Sequence, residues 1–248
     1  DGRLIWDKND SVYTVNLTEK LLATVLSKLS NFIPEAGIWM NTQRPEWNDA
    51  NNALVGYGVS MVTLYYTRRY QQYLLNLFSE VEFDQVDIST ELVELLNSIN
   101  STFVDNRHLL EGKISDKDRG LMLGRLGRAA DTFRAGIYAD GFVGERVAVK
   151  TADLIAFCET SLEFIDHSIR ANRREDGLYH AYNLMTATDD GVEITYLYEM
   201  LEGQVAVLSS GCLSPEESLA VLDVLRQSDL YTARQNSYLL YPDRELTR

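Results

Sequence analysis

The densest group of polar and aromatic side chains in this sequence lies between Trp39 and Asp49. The segment reads Trp-Met-Asn-Thr-Gln-Arg-Pro-Glu-Trp-Asn-Asp and combines two tryptophans, two carboxylates, an arginine and several amides around one proline. Proline between two helical patterns predicts a loop, and loops carry functional residues more often than helices do. Indole faces suit sugar rings, while amides, arginine and carboxylates suit hydroxyls. A carboxyl group beside an apolar indole can also have the raised pKa that a general acid for glycosidic cleavage needs.

The same segment also has a purely structural interpretation. Asp49 or Asn48 would then cap the helix that follows, and Trp47 would fill the wall between helices. A carboxylate at a helix N-terminus is stabilised in its charged form by the helix dipole, which opposes a role as an acid. Burial against Trp47 would have to outweigh that effect.

A family resemblance enters through this segment and the residues after it. It rests on Glu46, Trp47, Asn48, Asp49, Asn52, Val55, Gly56 and Gly58, followed by an aromatic-rich helix. Together they resemble the Asp-Trp-Asn-Asp region of the inverting disaccharide phosphorylases, the cellobiose and chitobiose phosphorylase type of the six-hairpin (α/α) glycosidase superfamily. The resemblance implies that Asp49 is the general acid that protonates the glycosidic oxygen, and that Trp47 lines the sugar site.

Two departures from that family leave the reaction open. Glu46 stands where the family usually has aspartate, and the family's glycine-rich phosphate-binding segments are not found in this chain. Inverting hydrolysis and phosphorolysis are therefore both retained as expectations. The expected partner is an oligosaccharide or other glycan, with inorganic phosphate as the optional co-substrate.

Two later segments add candidates. The segment around His180 and Tyr182 mixes aromatic and polar residues. His180 is therefore expected to contact sugar hydroxyls, and Tyr182 to stack on a sugar ring. The alternative for His180 is a structural role beside a turn. Glu199 and Glu202 are three residues apart in a helical pattern and would share a face. Either could be the base that inverting glycosidases place about 6.5–9.5 Å from the acid, and a solvated helix face is the alternative.

The predicted site has two groups of residues and no cofactor. Its catalytic candidates are Asp49, Glu199 and Glu202, and its substrate-binding candidates are Arg44, Glu46, Trp47, Asn48, Asn52, His180 and Tyr182. Three isolated histidines do not predict a metal site.

The elements that would position these residues are predicted to be helical almost throughout. Apolar residues recur at three- and four-residue spacing, and capping signals stand at Asn16, Ser115 and Ser214. Helices are expected over roughly 17–29, 49–78, 88–111, 116–138, 150–172, 196–209 and 215–227. The exception is a short β-hairpin or extended loop near 177–195, where Asp189-Asp190-Gly191 is a turn signal.

Paired helices joined by short loops predict an all-α fold, an (α/α) helical-hairpin toroid or part of one. One domain over residues 1–248 is expected, because no linker-like stretch interrupts the chain. The start at Asp1, without an initiator methionine, favours a fragment of a larger protein.

The composition of the chain disfavours several classes of partner and location. With 23 basic and 37 acidic side chains the formal charge is −14, which disfavours nucleic acid as a partner. No long apolar run predicts a membrane span, and two cysteines without zinc spacing favour a cytoplasmic setting. The expected function is a carbohydrate-active protein that acts on glycosidic bonds. The alternatives are a non-catalytic helical sugar-binding or interaction module, and an α-solenoid adaptor.

Overall fold

The computed structural model describes residues 4–6, 11–41 and 54–242. The chain divides into two compact units. Unit 1 comprises Asp1–Phe32, Tyr70–Lys113 and Leu121–Phe164, and unit 2 comprises Ile33–Arg69, Ile114–Gly120 and Ile165–Arg248. A compact unit need not be an independently folding domain, so the single domain expected from the sequence stays a prediction.

The described residues contain both helices and strands. The helices are α1 (Leu17–Leu29), α2 (Met61–Glu80), α3 (Thr90–Asp105), α4 (Asp116–Asp140), α5 (Thr151–Ala171), α6 (Leu201–Ser209) and α7 (Pro215–Gln227), with a short 3-10 helix over Arg107–Glu111. The strands are β1 (Phe32–Ile33), β2 (Gly37–Trp39), β3 (Gly58–Ser60), β4 (Gln85–Ser89), β5 (Arg146–Lys150), β6 (Tyr182–Thr188), β7 (Gly191–Tyr196), β8 (Tyr231–Thr232) and β9 (Ser237–Tyr238).

The all-α prediction is wrong. Strands form a five-stranded antiparallel curled sheet in the order β1-β2-β3-β6-β7, together with the two-stranded sheets β4-β5 and β8-β9. The fold is therefore mixed α/β, and it does not have the all-α character of the expected helical-hairpin toroid. Strands of two or three residues are too short to show the alternation by which sequence reveals a strand, and β3 is buried along its whole length.

Two predicted helices begin later than the sequence indicates. The helix expected over 49–78 begins at Met61 in the described residues, because Gly58–Ser60 before it pairs with β6. The helix expected over 196–209 begins at Leu201, because the hairpin strand β7 extends to Tyr196. Both errors come from apolar residues that belong to strands and continue the helical pattern without a break.

Unit 1 is built on α1, α3 and the β4–β5 pair. Phe103 and Phe164 pack with ring centroids 5.0 Å apart in its core. At the start of α1, Asn16 accepts a hydrogen bond from the Glu19 amide at 2.8 Å. The Glu19 carboxylate does not complete the expected capping box, because it accepts hydrogen bonds from the amide and hydroxyl of Ser89. Only half of that predicted motif therefore forms.

Unit 2 contains the hairpin expected near 177–195, as β6 and β7 within the five-stranded sheet. Strand β3 pairs with β6 through Gly58 and Leu184, and β6 pairs with β7 through Leu184 and Thr195. Gly191 closes the hairpin turn at φ 144°, where a Cβ atom would overlap the backbone carbonyl of Asp116. Only glycine fits this approach.

A buried ion pair lies at the centre of unit 2. The Arg119 guanidinium donates to the Glu35 carboxylate at 3.0 Å, and the two side chains are 4% and 6% exposed. One of the remaining donors of Arg119 bonds the Asp116 carboxylate, and the others bond the backbone carbonyls of Pro34, Val192 and Ile114 at 3.1, 3.1 and 2.9 Å. The second carboxylate oxygen of Glu35 accepts the Ile114 amide at 3.1 Å. Both charges are thus fully solvated by protein groups, as burial requires.

No helix among the residues that the structure describes is long and apolar enough to cross a membrane.

Replacing Arg119 by methionine leaves the Glu35 carboxylate buried without its cation. We expect Arg119→Met to lower the free energy of unfolding by about 3–5 kcal/mol, measured by urea denaturation. The matched control is Arg134→Met, which breaks an exposed ion pair with Asp131 and should cost less than about 1 kcal/mol. Equal losses in the two variants would contradict a structural role for the buried pair.

Candidate functional site

Most of the loop predicted to carry the chemistry lies outside the described residues. These positions are Arg44, Glu46, Trp47, Asn48, Asp49 and Asn52. Their proposed roles stay predictions. The residues that flank the loop are well defined: the Trp39 indole donates to the carbonyl of Gly56 at 3.0 Å, and the Met40 amide donates to the carbonyl of Gly58 at 2.9 Å. The two ends of the loop are therefore held together at β2 and β3.

Glu199 and Glu202 do not share a helix. Met200 is extended, with φ −139° and ψ 146°, and is the N-cap of α6, so Glu199 precedes the helix and Glu202 lies in its first turn. The shared helical face predicted for the two glutamates is therefore wrong. Their partners differ as well, since Glu199 pairs with Arg174 at 3.1 Å and Glu202 accepts a hydrogen bond from the Tyr182 hydroxyl at 2.7 Å.

Arg174 lies between two carboxylates. Its guanidinium is 2.8 Å from the Asp176 carboxylate and 3.1 Å from that of Glu199. Partial burial by itself would raise the pKa of Asp176. The hydrogen bonds from Arg174 and from the Leu178 amide, with the charge of Arg174, outweigh that burial and lower the pKa. Asp176 is thus an anion at neutral pH.

His180 is held beside this charged group. Its Nδ1 is 3.1 Å from the carbonyl oxygen of Leu197, and its ring stacks on Tyr196 with centroids 4.6 Å apart. Burial, assisted by the charge of Arg174, lowers the pKa of His180 to about 4. The ring is therefore neutral at pH 7, and hydrogen bonding assigns its proton to Nδ1, which leaves Nε2 as an acceptor.

Tyr182 is packed into the interior. It is 3% exposed and lies in a hydrophobic cluster with Met40, Ala181 and Met200. Its hydroxyl is tied to Glu202. Because a buried ring presents no free face, this geometry favours a packing role for Tyr182 over stacking on a sugar.

A cavity of about 380 Å³ opens beside Glu199. It is lined by Asp176, Leu178, Glu199, Val224, Gln227, Ser228 and Asp229. The polar groups are three carboxylates, an amide and a hydroxyl, and the apolar ones are two aliphatic side chains. Such a mixture can hydrogen-bond a hydroxylated ligand while covering its C–H surface.

The cavity joins one predicted residue to several that sequence reasoning missed. Glu199 lines it, and His180 interacts electrostatically with both Asp176 and Glu199. Gln227, Ser228 and Asp229 come from the end of α7, where the sequence shows only a polar helix terminus. No pattern in the sequence links that terminus to Glu199, since the connection is made by the tertiary fold.

The two thiols do not supply a nucleophile. Burial, with the nearby charge of Glu159, raises the pKa of Cys158 to about 12, and burial, with Asp166, raises the pKa of Cys212 to about 11. Both stay protonated at neutral pH, whereas the thiolate is the reactive form. In residues 4–6, 11–41 and 54–242 no three His, Cys, Asp or Glu side chains are placed to hold a metal ion.

Comparison with known proteins adds no assignment. No family model matches this chain, and no curated protein matches it at a significant level.

The lowered pKa of His180 makes stability depend on pH. Between about pH 6.5 and pH 4, His180 is protonated in the unfolded chain but neutral in the folded protein. The contribution is therefore complete above pH 6.5 and is lost as the pH falls toward 4. We expect His180→Asn, whose amide can still donate to Leu197, to lose less stability than the wild type on acidification from about pH 7 to pH 4.5.

Urea denaturation at the two pH values measures this difference. His108→Asn is the matched control, because His108 is exposed. That variant should follow the wild type. A slope of stability against pH that is the same in His180→Asn and wild type would show that His180 titrates normally.

Proposed function

We propose that this protein is carbohydrate-active and acts on glycosidic bonds with inversion, with Asp49 as general acid and a glycan as substrate. The observation that supports this proposal best is the cavity beside Glu199. Its side chains include carboxylate, amide and hydroxyl groups, which can bind sugar hydroxyls, and one of the carboxylates is Glu199, a catalytic candidate from the sequence. The volume of about 380 Å³ is in the range of ordinary ligand pockets.

The charge of the cavity bears on the choice between hydrolysis and phosphorolysis. Asp176, Glu199 and Asp229 bring three carboxylates to it, and the neighbouring Arg174 is already paired with two of them. Inorganic phosphate would meet net negative charge here. This favours hydrolysis as the form of the proposal, with phosphorolysis as the alternative. A cytoplasmic location belongs to the same proposal, since Cys158 and Cys212 are both free thiols.

A second candidate is a sugar-binding module without turnover. The ion pair between Glu199 and Arg174 favours it, because a general base needs a carboxylate that can approach water, and Glu199 is engaged and only 16% exposed. Glu202 is likewise engaged, by Tyr182. This candidate predicts glycan binding with no release of product.

The general acid is tested by Asp49→Asn. Removing it should lower kcat/KM on a panel of short oligosaccharides by about 10²–10⁴-fold, measured as release of reducing sugar with and without phosphate. The control is Asp140→Asn, an exposed change on α4. Unchanged activity in the Asp49 variant would refute the assignment, and binding without turnover in the wild type would select the second candidate.

The cavity is tested separately by Asp229→Asn. Asp229 lines the cavity, and its replacement leaves the ion pair of Arg174 with Glu199 in place. Because hydrogen bonds to a charged acceptor are stronger than those to a neutral one, we expect the dissociation constant for a bound oligosaccharide to rise about tenfold. Calorimetric titration measures the change, with Glu193→Gln on the exposed side of β7 as control. Equal affinity in both variants would place the sugar elsewhere.

A further inference from the structure

A second large cavity lies in unit 1, in the groove between α3 and α4, and has a volume of about 610 Å³. Glu91 and Glu94 line it near the start of α3, and Arg125 and Arg128 line it from α4. Two carboxylates and two guanidinium groups line it, so side chains of both charge signs are present. It therefore differs from a simple acidic or basic patch.

The charges are separated along the groove. Arg125 pairs at 2.6 Å with Asp105, the last residue of α3. Val143, which follows α4, donates to Glu91 near the start of α3. The two helices therefore run antiparallel, and Arg125 lies at the end opposite to Glu91. The Arg128 guanidinium lies about 3.4 Å from where a Cβ atom of Gly124 would be, so its side chain extends back over the preceding turn toward Arg125. The groove has an acidic end and a basic end.

The length of the groove follows from helix geometry. The acidic end begins at Glu91 and Glu94, and the groove extends along α3 to Ser101 and Thr102, seven to eleven residues further on. With a rise of 1.5 Å per residue, the two ends are about 10–16 Å apart.

Within the described residues, one carboxylate oxygen at the acidic end and one guanidinium group at the basic end have no hydrogen-bond partner. One carboxylate oxygen of Glu91 accepts the Val143 amide at 2.7 Å, whereas the other is buried and accepts no hydrogen bond from any residue in the described ranges. A buried carboxylate oxygen without a donor is unfavourable, so a donor from a ligand would stabilise it. At the other end, Arg128 forms no ion pair or hydrogen bond with the part of the chain that the structure describes.

Hydroxyl groups line the groove between its two ends. Ser98 donates to the carbonyl of Glu94 at 2.8 Å, and Ser101 and Thr102 donate to the carbonyl of Ser98 at 3.1 and 2.9 Å. Since their protons are used within α3, their oxygens remain as hydrogen-bond acceptors. They suit a ligand that presents N–H groups along its length.

We propose that this groove binds a short peptide with free ends, about three to five residues long. Its ammonium group would lie at Glu91 and Glu94, its carboxylate at Arg128, and its amides at the hydroxyl oxygens between them, while Arg125 stays paired with Asp105. An extended chain spans about 3.3–3.6 Å per residue, so three to five residues match the separation of the ends. An isolated cation or anion would satisfy only one end. This binding is independent of any action on glycans.

Calorimetric titration of the whole protein with tri-, tetra- and pentaglycine tests the proposal. We expect saturable binding of at least one of these peptides, and at least tenfold weaker binding after either acetylation of its amine or amidation of its carboxylate. Binding that is indifferent to both blocked ends, or no binding at any of the three lengths, overturns the proposal.

Variants locate the site. Arg128→Met keeps the aliphatic stem and should weaken binding of free tetraglycine at least tenfold, whereas Arg134→Met, on the same helix but outside the groove, should not. Glu94→Gln should weaken binding of the free peptide but not that of its acetylated form. Equal effects of Arg128→Met and Arg134→Met, or displacement of the peptide by short gluco-oligosaccharides, would overturn the assignment.

Discussion

The structure of unit 2 depends on the hydrogen bonds that one buried guanidinium group, that of Arg119, requires. Arg119 has five donors and almost no contact with water, so each donor must find an oxygen inside the protein. The backbone carbonyls of Pro34, Ile114 and Val192 meet this need together with the carboxylates of two acidic side chains, Glu35 and Asp116. Three segments that are far apart in sequence are thereby held around one planar guanidinium group, because its N–H groups donate hydrogen bonds only in fixed directions.

The same network extends to the segment that carries His180. Asn172 donates to the carbonyl of Glu35 at 2.7 Å, and Asn183 donates to Ala36 and to the Asn172 side chain at 2.8 Å each. Residues between these two asparagines include the Arg174 group and His180. The loop that contributes Asp176 and Leu178 to the cavity beside Glu199 is therefore anchored at both ends by buried hydrogen bonds, which fixes the position of the Asp176 carboxylate.

Local signals in the sequence predicted local structure well. The helix Pro215–Gln227 has the bounds that its Ser214 capping box indicated, with reciprocal bonds between Ser214 and Glu217. The rest of the sheet, beyond the β6–β7 hairpin, could not be predicted in this way, because β3 pairs with β6 across more than a hundred residues and is buried along its whole length. The same distinction between local and long-range information holds for the candidate site. Glu199 could be predicted because a carboxylate suits catalysis, whereas Asp229 and Gln227 reach the cavity only through the tertiary fold.

The shared position of Arg174 has a consequence for how this cavity could change its ligand. Its guanidinium is neutralised twice, by Asp176 and by Glu199, and so offers little attraction to an incoming anion. Loss of the Glu199 carboxylate would leave the bonds between Arg174 and Asp176 in place, free one side of the guanidinium and remove one negative charge from the cavity. A single amino-acid change at position 199 would therefore make this cavity less repulsive to anions, with Arg174 as the cation that they would meet.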